Sequence, residues 1–180
     1  TLITHKLSSI GDMSCNPAIG GVGKSQLARE VDAMGGLMAI AADAAGIHYR
    51  VLNSTKGQAV RATRVQTDRE MYKDAVQEAV KLTPNLTLLE DSVEDILIKR
   101  GKVRGVRTLK KGEKLAAKII LTTGTFLNGA MYVGNKKEEG GRFGDPSSNT
   151  LSSKLRSMDL RVGRLKTGTP PRLDRQSINW

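Results

Sequence analysis

The chain has 180 residues, with 29 Lys and Arg against 18 Asp and Glu, a formal net charge of +11 and a pI near 10.0. That length suits one domain with a buried core and excludes a multidomain assembly. The single cysteine, Cys15, excludes an internal disulfide, and no run of about 18 apolar residues or signal-peptide core is present, so a soluble protein of a reducing, cytoplasmic compartment is expected. Its 6 aromatic residues leave the core to Leu, Ile, Val, Met and Ala. The basic excess points to acidic partners, nucleic acid first.

The chain opens on a short β-like run, Thr1 to Thr4, with nothing before it to pair against, and reads as an internal piece of a longer protein. Between Gly23 and Gly46, Leu27, Val31, Met34, Leu37, Met38 and Ala41 recur at helical spacing, and Gly35-Gly36 divides the stretch into two helices. Residues 47–52 alternate as a strand in which His48 is structural. Thr67-Asp68-Arg69-Glu70 has the capping-box pattern for a helix carrying Met71, Ala75, Val76 and Ala79 on one face, ending before Pro84. Short β-rich runs follow at 86–89, 93–98, 103–109 and 115–121, separated by glycine turns, and predict an antiparallel meander at about 93–121. Its last run, Ala117 to Thr122, is apolar except for Lys118, as in a strand buried on both faces. This order predicts an α/β fold, a parallel sheet with helices on one side and an antiparallel attachment, whose ligands bind where glycine-rich segments follow strands.

The densest motif is Ser14 to Ser25. Gly20, Gly21 and Gly23 lie ahead of a helix, where backbone N–H groups and the helix dipole attract an anion. Ala18 to Ser25 also satisfies a permissive P-loop pattern, although a polar, turn-like stretch precedes it where a P-loop needs a hydrophobic strand. Cys15, just before this helix start and Lys24, is either a small buried hydrophobe or a nucleophile acting as thiolate. His5 and His48 have no metal-ligand spacing to each other or to Cys15, so no metal is expected. Lys56, Arg61 and Arg64, set among small polar residues, make a loop suited to phosphates, with a solvated connection as the alternative. Residues 1–90 carry 10 basic and 9 acidic side chains, residues 91–180 carry 19 and 9. The second half is therefore the expected RNA-binding face, with Arg161, Arg164, Lys166 and Arg172 among its contacts.

Five segments taken in order, Ser14 to Lys24, Asn53 to Arg64, Gly124 to Gly129, Gly140 to Asp145 and Arg164 to Arg172, resemble the glucose-inhibited division protein A family over essentially the whole chain. These are the FAD-binding large subunits of a tRNA uridine modification complex. The resemblance implies an FAD-type Rossmann sheet, incomplete at its N-terminal edge, with residues 1–180 forming the central part of the FAD-binding domain. It implies a flavin reaction that installs an aminomethyl-type substituent at C5 of the wobble uridine of certain tRNAs, with NADH reducing the flavin. Cys15 matches the family cysteine beside the flavin and is the catalytic candidate. Val93 and Ser148 match positions that touch FAD, and Asn16, Pro17, Gly20, Gly21, Thr123 and Gly124 complete the cofactor-binding set. The family's N-terminal dinucleotide fingerprint, its NAD-interacting region and the C-terminal part that docks a GTPase subunit have no counterpart in these residues. The chain alone is therefore expected to be inactive and to hold FAD weakly, while the intact protein is expected to be a homodimer that binds tRNA, with no membrane association, in the cytoplasm or, for a eukaryotic source, the mitochondrion. The competing readings are a P-loop nucleotide-binding domain and a non-enzymatic basic RNA-binding module.

Overall fold

The computed structural model describes residues 1–168 and 173–180. Its elements are β1 (Leu2–Thr4), β2 (Ala18–Gly20), α1 (Lys24–Ala33), α2 (Leu37–Ala44), β3 (Gly46–Leu52), β4 (Ala62–Thr67), α3 (Arg69–Leu82), β5 (Leu88–Glu90), β6 (Val93–Lys99), β7 (Lys102–Thr108), β8 (Gly112–Leu115), β9 (Ala130–Val133), β10 (Lys136–Glu139) and α4 (Asn149–Arg156). They fall into two units, one formed by Thr1–Gly11 with Val76–Val162, the other by Asp12–Ala75 with Gly163–Trp180.

In the second unit, α1 and α2 form where the apolar spacing predicts them, parted at the glycine pair. Both pack on the antiparallel sheet β2-β4-β3. The core there is built largely from small residues, Ala18, Ala41, Ala42, Ala45 and Ala62, together with Ile19, Val65 and Tyr72. Helix α3 starts one residue later than the capping-box pattern implies. The cap is Asp68, whose Oδ1 accepts the Met71 N–H at 2.9 Å, while Thr67 turns inward and donates its hydroxyl to the Pro17 carbonyl at 3.1 Å. Burial decides the matter, because Thr67 is only 1% exposed and must spend its hydroxyl locally.

In the first unit, β1 and β5 form a parallel pair, Leu2 opposite Leu88 through Thr4 opposite Glu90. The first of the β-rich runs after Pro84 is therefore a parallel strand. The meander itself is β6-β7-β8, and β9 with β10 makes a separate antiparallel hairpin. Helix α4, which no sequence signal announced, packs on β6, and Lys154 reaches Asp95 at 3.2 Å. Ile96, Val106 and Leu151 are the buried apolar residues of this unit among the described residues.

The expected buried strand at 117–122 does not form. The ladder ends where the Ala116 N–H meets the Arg104 carbonyl at 2.8 Å, and Ile120 beyond it is 87% exposed. Among the described residues no strand lies alongside this run, and without a ladder partner an apolar sequence does not become a strand.

Candidate functional site

The glycine segment of the second unit is held by its backbone. Arg69 donates to the Cys15 carbonyl at 2.6 Å, and Thr67 donates its N–H to the Pro17 carbonyl at 2.8 Å. The next three residues form β2, paired with β4 so that Gly20 lies opposite Arg64. The Gly21 N–H then meets the Thr63 carbonyl at 3.2 Å. Gly23 ends the turn at φ +84 and caps α1, its N–H donating to Gln26 Oε1 at 2.9 Å. No atom lies within 4 Å of where a Cβ would stand on Gly21 or Gly23, so this side of the turn is open.

Lys24 folds back on the turn and donates to the Ala18 carbonyl at 3.2 Å. Burial, and secondarily the charge of Arg64, hold its pKa below the usual lysine value. The strand and the lysine together set aside the P-loop alternative. The strand lies inside the motif and runs antiparallel to its neighbour, and the lysine already serves a main-chain carbonyl, whereas a phosphate-binding loop follows its strand and aims its lysine at the ligand.

In the first unit, the segments 123–129 and 140–148 are knitted around Phe126. Its N–H donates to the Thr123 carbonyl at 3.1 Å, and its own carbonyl accepts the Ser148 N–H at 2.8 Å and the Ser147 hydroxyl at 3.1 Å. The ring meets the edge of His5 at a centroid distance of 5.4 Å and carries the Arg142 guanidinium 5.9 Å from its centroid. Gly141 lies so close that a Cβ there would stand 2.2 Å from the Phe126 ring. Thr125 closes the loop on the Gly141 carbonyl. Asp145 binds Lys6 at 2.6 Å and also pairs with Arg142, and the Lys6 and Arg142 hydrogen bonds hold its carboxyl below the usual range.

Ser148 occupies the N-cap position of α4, yet its hydroxyl makes no capping bond. It lies instead 3.4 Å from His5 Nε2. Val93 opens β6 opposite Thr108. Beside it, Asp91 accepts the backbone N–H groups of Ser92 at 2.8 Å and Lys111 at 2.8 Å, and both its oxygens take that of Lys110. Burial alone would raise the Asp91 pKa, but these hydrogen bonds, together with the Thr108 side chain, outweigh it and lower it.

Thr123, Gly124 and Ser148 thus meet in one loop system, with α4 leading from Ser148 onto the strand that Val93 opens. Cys15, Asn16, Pro17, Gly20 and Gly21 line one turn of the other unit, where Cys15 is half-buried. Lys56 and Arg61 are exposed in the β3–β4 connection, and Arg64 is half-buried on β4. Arg161, Arg164 and Lys166 are exposed on a segment without helix or strand, and Arg172 lies outside the described residues. His5 is the residue that sequence reasoning missed, since only the fold brings it to Ser148. Among the described residues no cluster of metal-ligating side chains occurs, and no helix is long and apolar enough to cross a membrane.

The sequence model of the glucose inhibited division protein A family matches residues 1–180. Two crystal forms of Aquifex aeolicus GidA are similar in structure. Form I has 43% identity and a TM-score of 0.88 over 98% of this chain, and form II has 43% identity and a TM-score of 0.87 over 97%. A GidA-related protein from Thermus thermophilus shares the fold at 18% identity, with a TM-score of 0.61 over 89% of this chain and 57% of its own. This chain spans 29% of the length of the Aquifex protein.

Proposed function

The chain belongs to the glucose-inhibited division protein A family, and from that membership we propose that it is part of an FAD-dependent enzyme that modifies the wobble uridine of tRNA at C5. The observation that carries this reading is the 43% identity to Aquifex GidA over 98% of the chain.

The residues present fit a flavin nucleotide. Gly21 (φ +103), Gly23 (φ +84) and Gly124 (φ +54) all have open space where a Cβ would stand, so backbone amides are approachable there. Residues 13–29 contain no carboxylate to repel a pyrophosphate. In the first unit, Val93, Thr123, Gly124 and Ser148 are the positions assigned to FAD. In the second, Asn16, Pro17, Gly20 and Gly21 are. When bound, FAD supplies the two-electron chemistry of the added carbon, with NADH as the reductant. Cys15, held in place through its carbonyl by Arg69, is presented as the nucleophile or proton relay toward the uracil ring. Lys56, Arg61, Arg64, Arg161, Arg164, Lys166 and Arg172 are assigned to tRNA phosphates. A GTPase subunit and a second copy of the intact protein are its proposed partners, and a cytoplasmic or mitochondrial compartment its location.

The test is made on the full-length protein. A flavin absorption spectrum in the purified protein, and C5-modified uridine appearing in tRNA nucleosides by mass spectrometry on addition of the GTPase subunit, NADH and a one-carbon donor, are expected. Unmodified tRNA in the presence of bound FAD would overturn the reaction assigned here.

A further inference from the structure

The basic residues of the first half are concentrated locally. Residues 13–29 and 46–67 contain Lys24, Arg29, Arg50, Lys56, Arg61 and Arg64 and no Asp or Glu at all. The fold joins these two segments as the first part of α1, whose remainder carries Glu30 and Asp32, and the β2-β4-β3 sheet. In that sheet Arg64 stands directly opposite Arg50 on one side and Gly20 on the other. Directly paired residues project on the same face, with Cβ atoms about 5 Å apart, and like charges so placed destabilise a sheet. Gly20 adds no side chain to this row, which leaves it open. The next row, Ala18-Gln66-His48, adds no acidic group either. Lys24 stands close enough to Arg64 for the two charges to interact. Among the described residues, Lys24, Arg50 and Arg64 form no ion pair with any carboxylate, in contrast to Lys6, Lys73, Arg107 and Lys154, which all do. Opposing arginines without a counter-ion are a cost to the fold that an external anion removes.

We propose that Arg50 and Arg64 form a strip on the β2-β4-β3 sheet that grips successive phosphates of the tRNA strand carrying the target nucleotide. The proposal deepens the tRNA reading above and rests on it. RNA phosphates are the favoured occupant because the cations line a sheet row with no Phe, Tyr or Trp beside them on the same face for stacking, a pattern that holds a backbone rather than bases.

The experiment measures binding of unmodified tRNA to the full-length FAD-loaded protein as a function of salt. For single-stranded contacts each neutralised phosphate contributes about −0.7 to the log–log slope, so Arg50→Gln with Arg64→Gln should flatten the slope by about 1.4. The pair Arg50→Lys with Arg64→Lys should retain it, since charge and not geometry carries a phosphate contact. The melting temperature of the glutamine variant should equal or exceed that of the wild type, because a like-charge pair has been removed. FAD absorbance should be unchanged. If the wild type binds tRNA and the glutamine variant shows the same slope, the strip is wrong and the tRNA reading stands. The same conclusion follows if the variant loses binding only to polyglutamate, which would make the strip a site for an acidic protein. If the wild type holds FAD but shows no saturable tRNA binding at low salt, the tRNA reading itself fails and the strip with it.

Discussion

The carbonyl oxygen of Thr63 fills the space beside Gly20, 2.0 Å from where a Cβ would stand, and Gly20 has φ +116. The contact is backbone against backbone, so no side-chain rotation can relieve it. Gly20→Ala should therefore separate β2 from β4 and cost about 3 kcal/mol or more, from the clash together with the positive φ. Gly21→Ala meets open space at φ +103 and should cost only about 1–2 kcal/mol. Chemical denaturation of both variants checks the ranking, and an equal cost would show that β2 does not approach β4 as closely as described.

Asp145 ties Lys6 and Arg142 to one carboxylate, and its pKa is lowered by those two partners. A lowered folded-state pKa gives stability that is fully present above the ordinary carboxylate range, near pH 4, and is lost as the pH falls through the folded value. Asp145→Asn should cost about 1–2 kcal/mol at pH 7, the lower end for charge-assisted hydrogen bonds because half-exposed Lys6 is screened by solvent. The difference from wild type should shrink on acidification below pH 4. Melting curves between pH 7 and pH 2.5 test this, and a difference that stays constant with pH would remove the ion pairs from the account.

The legible parts of the sequence were those governed by local rules. Apolar spacing with a double glycine gives α1 and α2, and Asp68 with Pro84 bounds α3, though the choice of Asp68 over Thr67 as cap depended on burial against Pro17. The runs after Pro84 had strand composition, but composition does not choose partners. Leu88–Glu90 went to β1, at the far end of the chain from the meander, and Ala117 to Thr122 found none. The meeting of His5 with Ser148 spans 143 residues and left no periodic trace. The pairing of Arg50 with Arg64 was equally hidden, because it depends on hairpin register, which the polar 53–61 connection does not announce. The Cys15 segment was legible as a glycine-rich turn, while the strand inside it was not, since three residues are too few for alternation to show.

Asp91 fastens the entry to β6 by accepting three backbone N–H groups, including those of Lys110 and Lys111 in the turn after β7. Asp91→Asn keeps the shape but replaces one accepting oxygen by an amide donor, so it places a donor against N–H groups. It should lower the melting temperature and open the 109–112 turn to amide hydrogen exchange. Because the carboxyl pKa is lowered overall, the wild-type advantage belongs to neutral pH and should disappear below about pH 4. Unchanged exchange at Lys110 and Lys111 would sink this assignment.

Cys15 lies on a turn held through main-chain carbonyls, Arg69 donating to that of Cys15 at 2.6 Å and Thr67 to that of Pro17 at 2.8 Å. Serine keeps the backbone and nearly the volume, so Cys15→Ser should leave these main-chain contacts in place. If the thiolate does chemistry on the uridine, the full-length Cys15→Ser protein should lose tRNA modification while its FAD absorbance and melting temperature stay nearly as in the wild type. If the cysteine is only packed, the hydroxyl in its half-buried place should cost about 1–3 kcal/mol of stability, with activity falling only in proportion. Modification, flavin content and melting temperature measured on one preparation separate the two, because only the chemical role moves activity alone. Full modification by a stable Cys15→Ser protein would take Cys15 out of the reaction and leave the Gly20–Gly23 turn as a flavin-positioning element, where Gly21→Ala should then lower FAD affinity without touching the chemistry that follows.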